Sequence, residues 1–220
     1  MTEYDAVLFD SDGVLVQPPA HETKVSAARE AFRAVGVSDV DREHLTDVVS
    51  GPSVEQVREI CAAYDLDVEA FWTAREHHDE RSQFDQFEAG ARDRYDDVVA
   101  VEGLDYPCGV VSNNHHSTIE FVLEQFDLHG AFDTYYGREK TVESLDRKKP
   151  NTHYLDRALA DLDAESALYV GDSDGDVVAA DRAGLDSAFV RRPHSADTTL
   201  SLTPTYDVDS LHDVAALLTE

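Results

Sequence analysis

Asp10 and Asp12, in Ala6-Val-Leu-Phe-Asp-Ser-Asp-Gly13, set two carboxylates just beyond a short apolar run. In an open α/β sheet, ligands bind at the ends of such strands. A carboxylate there can attack phosphorus and hold an acyl phosphate, splitting one displacement into two easier steps. The second acid, two residues on, is placed to protonate a leaving oxygen and then to deprotonate an incoming water. Gly13 lets the chain turn away without a Cβ. Asp-x-Asp-Gly alone also occurs in plain turns and calcium loops, so the pair needs company to mean anything.

Three further stretches supply it. Val110-Val-Ser-Asn-Asn114 ends another apolar run, and there Ser112 and Asn113 offer neutral hydrogen-bond donors to a phosphoryl oxygen. Arg147-Lys-Lys-Pro150 holds two of the chain's four lysines, and Lys149 can neutralise a nucleophile and a phosphate together. A solvated basic turn is the alternative for that stretch, and Pro150 suits the first turn of a following helix. Gly171-Asp-Ser-Asp-Gly-Asp176 crowds acids after Leu168-Tyr-Val170, which invites a cation. A calcium loop fits it poorly, because with Asp172 as position one neither the glycine nor a terminal Glu falls where such a loop needs it. A strand-end Mg²⁺ site that leaves positions to water and phosphate fits better.

These residues need strands to carry them. Continuous apolar runs at 6–10, 108–112, 167–170 and 187–190 read as buried parallel strands. Helical patterns at 118–126, 152–162 and 176–183 lie between the last three runs, and Ser117-Thr-Ile-Glu120 has capping-box spacing. Strand alternating with helix predicts an α/β fold, a Rossmann-like doubly wound parallel sheet. Residues 18–87 break that rhythm with helical patterns at 21–35, 53–64 and 68–84 and no strand. They read as an inserted all-helical module over the strand mouths, leaving 1–17 and 88–220 as the core. The helix before the second stretch spans only Val98–Leu104 and looks short for its packing duty.

Composition narrows the partners. The 220 residues carry 46 acids against 18 bases, a net charge of −28 that argues against nucleic-acid binding. The acids are spread along the chain, a distribution expected of a protein adapted to molar salt, where a Debye length of about 3 Å screens self-repulsion. No apolar stretch approaches the roughly 20 residues of a membrane span. Met1 standing next to the first predicted strand leads us to expect no signal peptide, and Cys61 and Cys108 read as free thiols of a reducing cytoplasm.

In this order, the four stretches resemble the motifs of the haloacid dehalogenase superfamily, and the resemblance covers the whole chain. It implies a phosphoglycolate-phosphatase-like member with a small helical cap at 18–87. It implies Asp10 as phosphorylated nucleophile, Asp12 as acid and base, and phosphate binding by Ser112, Asn113 and Lys149. It also implies Mg²⁺ held by the Asp10 carboxylate, the Asp12 main-chain carbonyl and Asp172, with Asp176 in support. The expected activity is hydrolysis of a small phosphorylated metabolite. Asp12 argues against the dehalogenase and phosphonate-cleaving branches. Gly13-Val14 leaves a sugar phosphomutase open, and a non-catalytic phospho-ligand module is the remaining class. Ser11 and Val14 depart from the residues most common at those positions in the family's phosphatases. Arg42, Arg58, Arg75 and Arg81 are the cap's candidates for meeting a substrate carboxylate.

Overall fold

The computed structural model describes residues 4–219; residues 1–3, on which the expected absence of a signal peptide bears, lie outside them. Six strands form one sheet: β1 (Ala6–Phe9), β2 (Cys108–His115), β3 (Thr134–Arg138), β4 (Ala167–Gly171), β5 (Asp186–Val190) and β6 (Tyr206–Val208). Their order is β3-β2-β1-β4-β5-β6. β1 pairs in parallel with β2 on one side and β4 on the other, with Val7 opposite both Cys108 and Leu168. The four apolar runs are thus the four central strands of the expected doubly wound sheet. β3 and β6 lie at the edges; β3 reads Thr-Tyr-Tyr-Gly-Arg with only its two tyrosines half-exposed, and β6 is half-exposed to exposed, so neither forms a continuous apolar run.

The sheet is buried on both faces, as its composition requires. Val7, Phe9, Val110, Leu168 and Val170 pack on one face with Ile119 and Leu123 of α5 (His116–Gln125). Ala6, Leu8, Val111 and Tyr169 pack on the other with Tyr154, Leu155 and Ala158 of α6 (His153–Asp161) and Ala179 and Ala180 of α7 (Asp174–Ala183). The segment before β2 is a 3₁₀ turn at Asp96–Ala100, yet Val98 and Val101 are fully buried on the first face. A helix not anticipated from sequence, Leu211–Thr219, adds Leu211 and Val214 to that layer.

Two local expectations are corrected. Ser117 does not cap α5: β2 runs through His115 and the helix starts directly at His116, which puts Ser117 inside its first turn. Pro150 precedes α6 rather than opening it, because Thr152 is the residue at the helix N-terminus.

The chain clusters into two compact units, and the second comprises residues 19–92 together with 138–147. Within 19–92 the described residues contain four helices and no strand: His21–Ala34, Arg42–Val49, Val54–Ala63 and Val68–Glu88. Asp41, Ser53 and Asp67 cap the last three through side-chain oxygens. Phe32, Val57, Ile60, Phe71 and Trp72 form the unit's core, with Phe32 and Phe71 rings 4.5 Å apart. Residues 138–147, assigned to the core from sequence, join this unit for two reasons. Val142 and Leu145 are apolar members of its core, and Arg138 meets the buried Glu76 carboxylate at 2.8 Å. Arg75 also reaches Glu76, at 3.0 Å, and Arg81 pairs with Asp85 one turn on. Both of those arginines therefore have acids on their own helix.

Phe9 is fully buried and meets Phe132 edge-on at 6.0 Å. Phe9→Ala should lower the unfolding free energy by about 3–5 kcal/mol, read from urea titration in concentrated KCl. A loss below about 1 kcal/mol would show that this face is not packed as described.

Candidate active site

β1 lies where the strand order reverses, so the loops leaving β1, β2 and β4 converge at one edge of the sheet. Asp10 is the first residue past β1, and its N–H donates to the Val170 carbonyl of β4 at 2.9 Å. The following turn is tight: Leu15 and Val16 N–H groups both reach the Ser11 carbonyl, and Gly13 N–H donates to Val16 at 2.7 Å. Gly13 has φ +85°, and a Cβ on it would lie 2.0 Å from Asp172 Oδ2. Glycine here serves both the turn and the carboxylate opposite. Ser11 is buried and its hydroxyl has no hydrogen-bond partner among the described residues.

The period-two alternation of β2 sorts its polar end. Ser112 is buried and its Oγ accepts the Asn114 N–H at 3.3 Å, while Asn114 Nδ2 donates to Asp12 Oδ2 at 2.9 Å. Asn113 does something else. Its Oδ1 accepts the Lys149 N–H at 2.7 Å and its Nδ2 donates to the Lys149 carbonyl at 3.1 Å. The Asn113 amide thus fixes the Lys149 backbone.

Lys149 brings the stretches together. Its buried Nζ lies 3.0 Å from Asp10 Oδ2, 2.7 Å from Asp176 Oδ1 and 3.0 Å from the Val111 carbonyl, which also accepts from the Tyr169 hydroxyl. Asp176 sits in the first turn of α7, where its Oδ2 accepts from Ser173 Oγ at 2.6 Å, Ser173 N at 3.0 Å and Asp172 N at 3.3 Å. Its side chain folds back across Gly171, where any Cβ would come within 2.3 Å of Asp176 Cβ. Asp172 Oδ2 meets His194 Nε2 at 2.5 Å.

The charges are unevenly settled. Burial opposes ionisation of Asp176, but the Lys149 ammonium and the Ser173 donors outweigh it and hold that carboxyl below the usual range. Burial also works against the Lys149 charge, and Asp10 and Asp176 more than restore it. Asp10 is left with the deficit. Burial, only partly offset by Lys149 and reinforced by Asp176, Asp172 and Asp12, pushes its carboxyl up to about 7. Asp172 is raised too, by burial first, with the His194 hydrogen bond opposing.

Asp10, Asp172 and Asp176 each offer a carboxylate oxygen within 4.8 Å of the other two. Hard oxygen donors carrying excess negative charge fit a Mg²⁺-type cation. Both Asp10 oxygens accept hydrogen bonds, from Ser11 N–H at 2.7 Å and from Lys149, as both Asp176 oxygens do from Lys149 and Ser173, so all three carboxylates stand as candidate donors. Of the residues expected from sequence, Asp10, Lys149, Asp172 and Asp176 share this cluster, and Asp12 and Ser112 join it through the β2 end. Asn114, Tyr169 and His194 were not anticipated. Alternation from Ser112 could have found Asn114, whereas His194 required knowing that β5 lies beside β4.

A raised carboxyl makes a pH prediction with a definite sign. Asp10 favours folding while protonated, and that contribution is lost as pH rises from near 4 through about 7. In metal-free protein, Asp10→Asn should therefore stabilise increasingly over that window, by on the order of 3 kcal/mol at pH 8, and added Mg²⁺ should cancel the gain. Urea titrations at several pH values test this. A pH-independent difference would contradict the electrostatics described.

Comparison with known proteins identifies the family. The family model for haloacid dehalogenase-like hydrolases matches residues 7–190. A protein of Bacillus thuringiensis (strain Al Hakam) named Pyrophosphatase PpaX is 26% identical over 224 residues, covering 98% of this chain and 97% of the other. Among solved structures, a predicted phosphoglycolate phosphatase from Haemophilus somnus 129pt aligns over all of both chains with TM-score 0.70 and 20% identity. CbbY from Rhodobacter sphaeroides in complex with phosphate aligns over 96% of each chain with TM-score 0.71 and 19% identity. With a family model spanning most of its length and a cluster of the expected chemistry at the strand ends, the chain belongs to the haloacid dehalogenase-like hydrolases.

Proposed function

We propose that the protein is a Mg²⁺-dependent phosphatase acting on a small phosphorylated metabolite through an aspartyl phosphate on Asp10. The observation that carries this reading is the Asp10 carboxylate at the switch point, 3.0 Å from a buried ammonium and grouped with Asp172 and Asp176. Asp12 stands two residues away, fixed by Asn114.

In the first step an Asp10 oxygen attacks phosphorus, and the bond to the leaving oxygen breaks as Asp12 gives that oxygen its proton. In the second step Asp12 takes a proton from water as the water oxygen attacks the same phosphorus, which frees the Asp10 carboxylate and releases phosphate. Asn114 orients Asp12 for both transfers. Ser112 and the Lys149 ammonium bind phosphoryl oxygens, and Asn113 keeps Lys149 in place. Mg²⁺, held by Asp10, the Asp12 carbonyl and Asp172 with Asp176 in support, would neutralise charge on the transferring group. In the same reading, residues 18–87 are the family's cap. Among the described residues no helix is long and apolar enough to cross a membrane.

Phosphate release should be screened over small phosphate monoesters in concentrated KCl, with inorganic pyrophosphate included because curated relatives are named for it. Release is expected with Mg²⁺ and not with EDTA. Asp10→Asn should abolish it, and Lys149→Ala should lower kcat by about 10²–10³, the effect of losing one strong transition-state contact. Parental turnover by Asp10→Asn, or strict dependence on a sugar bisphosphate with an isomerised product, would remove this reading.

The net charge of −28 generates a further expectation. Moving from dilute buffer to molar KCl should raise both the melting temperature and the activity, because self-repulsion and repulsion of an anionic substrate are screened together. Equal stability and activity in dilute buffer would contradict adaptation to salt.

A further inference from the structure

We infer that His194 is a positioning residue for the metal site, holding the Asp172 carboxylate by a hydrogen bond from its Nε2–H. The inference rests on the metal reading above. β4 and β5 are parallel neighbours, with Gly171 opposite Phe189, so the loops that leave them run side by side. Asp172 begins one loop, and His194 lies four residues past the end of β5 in the other. Nε2 and Asp172 Oδ2 are 2.5 Å apart. While Asp172 is ionised it can only accept, and the contact then needs a proton on Nε2.

The loop that carries His194 is fixed on both sides. The buried Arg192 guanidinium grips Asp97 through two bonds of 2.8 and 2.9 Å and donates to the Val14 carbonyl at 2.8 Å. Ser195 closes the turn, its N–H donating to the Arg192 carbonyl at 2.9 Å and its hydroxyl accepting the Arg192 N–H at 3.1 Å. Further on, Ser201 N and Oγ bind Asp174 Oδ1 at 2.6 and 2.9 Å. One loop therefore touches the turn after Asp12 and the first residue of α7, with His194 between those anchors.

Asp172 needs such a partner. Asp176 and Asp10 face it with like charge, and the bare Cα of Gly13 leaves room for it on one side. His194 holds Asp172 Oδ2. A group that orients a metal-binding carboxylate typically contributes 10–100-fold to metal affinity.

Calorimetric titration of the full-length protein with Mn²⁺, at fixed pH in concentrated KCl, tests this. His194→Ala should raise the Mn²⁺ Kd by about 10–100-fold, and His194→Gln should restore most of the loss because its amide N–H can donate to the same oxygen. In phosphate release, the alanine variant should need more Mg²⁺ for half-saturation and recover at high Mg²⁺. Parental Kd in His194→Ala, or equal losses in the Ala and Gln variants, overturns the inference. Asp172→Asn separates it from the reading beneath it. If that variant also binds Mn²⁺ like the parent, the metal site itself is wrong; if it loses binding while His194→Ala keeps it, only the role of His194 falls.

Discussion

A buried ammonium makes this arrangement of carboxylates possible. Lys149 Nζ lies within 3.0 Å of both Asp10 and Asp176, and without that charge two buried acids could not share one strand edge in ionised form. Much of the surrounding structure serves to hold this single atom. Asn113 clamps the Lys149 backbone from both sides, and the Val111 carbonyl receives both Nζ and the Tyr169 hydroxyl. Removing the Lys149 charge would leave two buried carboxylates without a counter-ion, which costs far more than an exposed ion pair is worth.

The second constraint is backbone proximity. Asp172 and Asp176 occupy space that a side chain on Gly13 or Gly171 would fill, so two glycines set how near the carboxylates come to the strand ends. Topology completes the approach. With β1 between β2 and β4, three loops separated by many residues in sequence leave the sheet side by side. Arg192 then links the turn after Asp12 to Asp97 and thereby to the layer beneath the sheet.

What could be read from the sequence follows from these facts. The four central strands were legible because burial on both faces makes each a continuous apolar run, and the acids at their ends were conspicuous for the same reason. The edge strands Thr134–Arg138 and Tyr206–Val208 were not, since Thr134, Gly137 and Arg138 in one and Asp207 in the other leave no such run. Asn113 and Asn114 show a finer limit. Both are amides at a strand end, and only the alternation of β2, anchored by a known Ser112, tells which one turns to Asp12 and which to Lys149. Residues 138–147 joined the helical unit through Val142, Leu145 and the Arg138–Glu76 pair, contacts between residues too far apart in sequence for any local pattern to reveal.

The charge count at the site bears on how an anionic substrate could bind at all. Asp10, Asp172 and Asp176 bring three potential negative charges, and Lys149 returns one that is already drawn toward Asp176 at 2.7 Å. A phosphate dianion approaching that remainder meets repulsion of about 4 kcal/mol per charge pair at 4 Å under an effective dielectric of 20. Salt screens the distant part of the −28 field, yet mobile ions do little between buried groups in contact. Burial first, and the neighbouring acids after it, raise the Asp10 carboxyl as well. A proton would relieve the repulsion only by disabling the nucleophile. A divalent cation relieves it while leaving Asp10 ionised and adding attraction for phosphoryl oxygens, so on the proposed mechanism the cation's first task is to make the site admit its substrate.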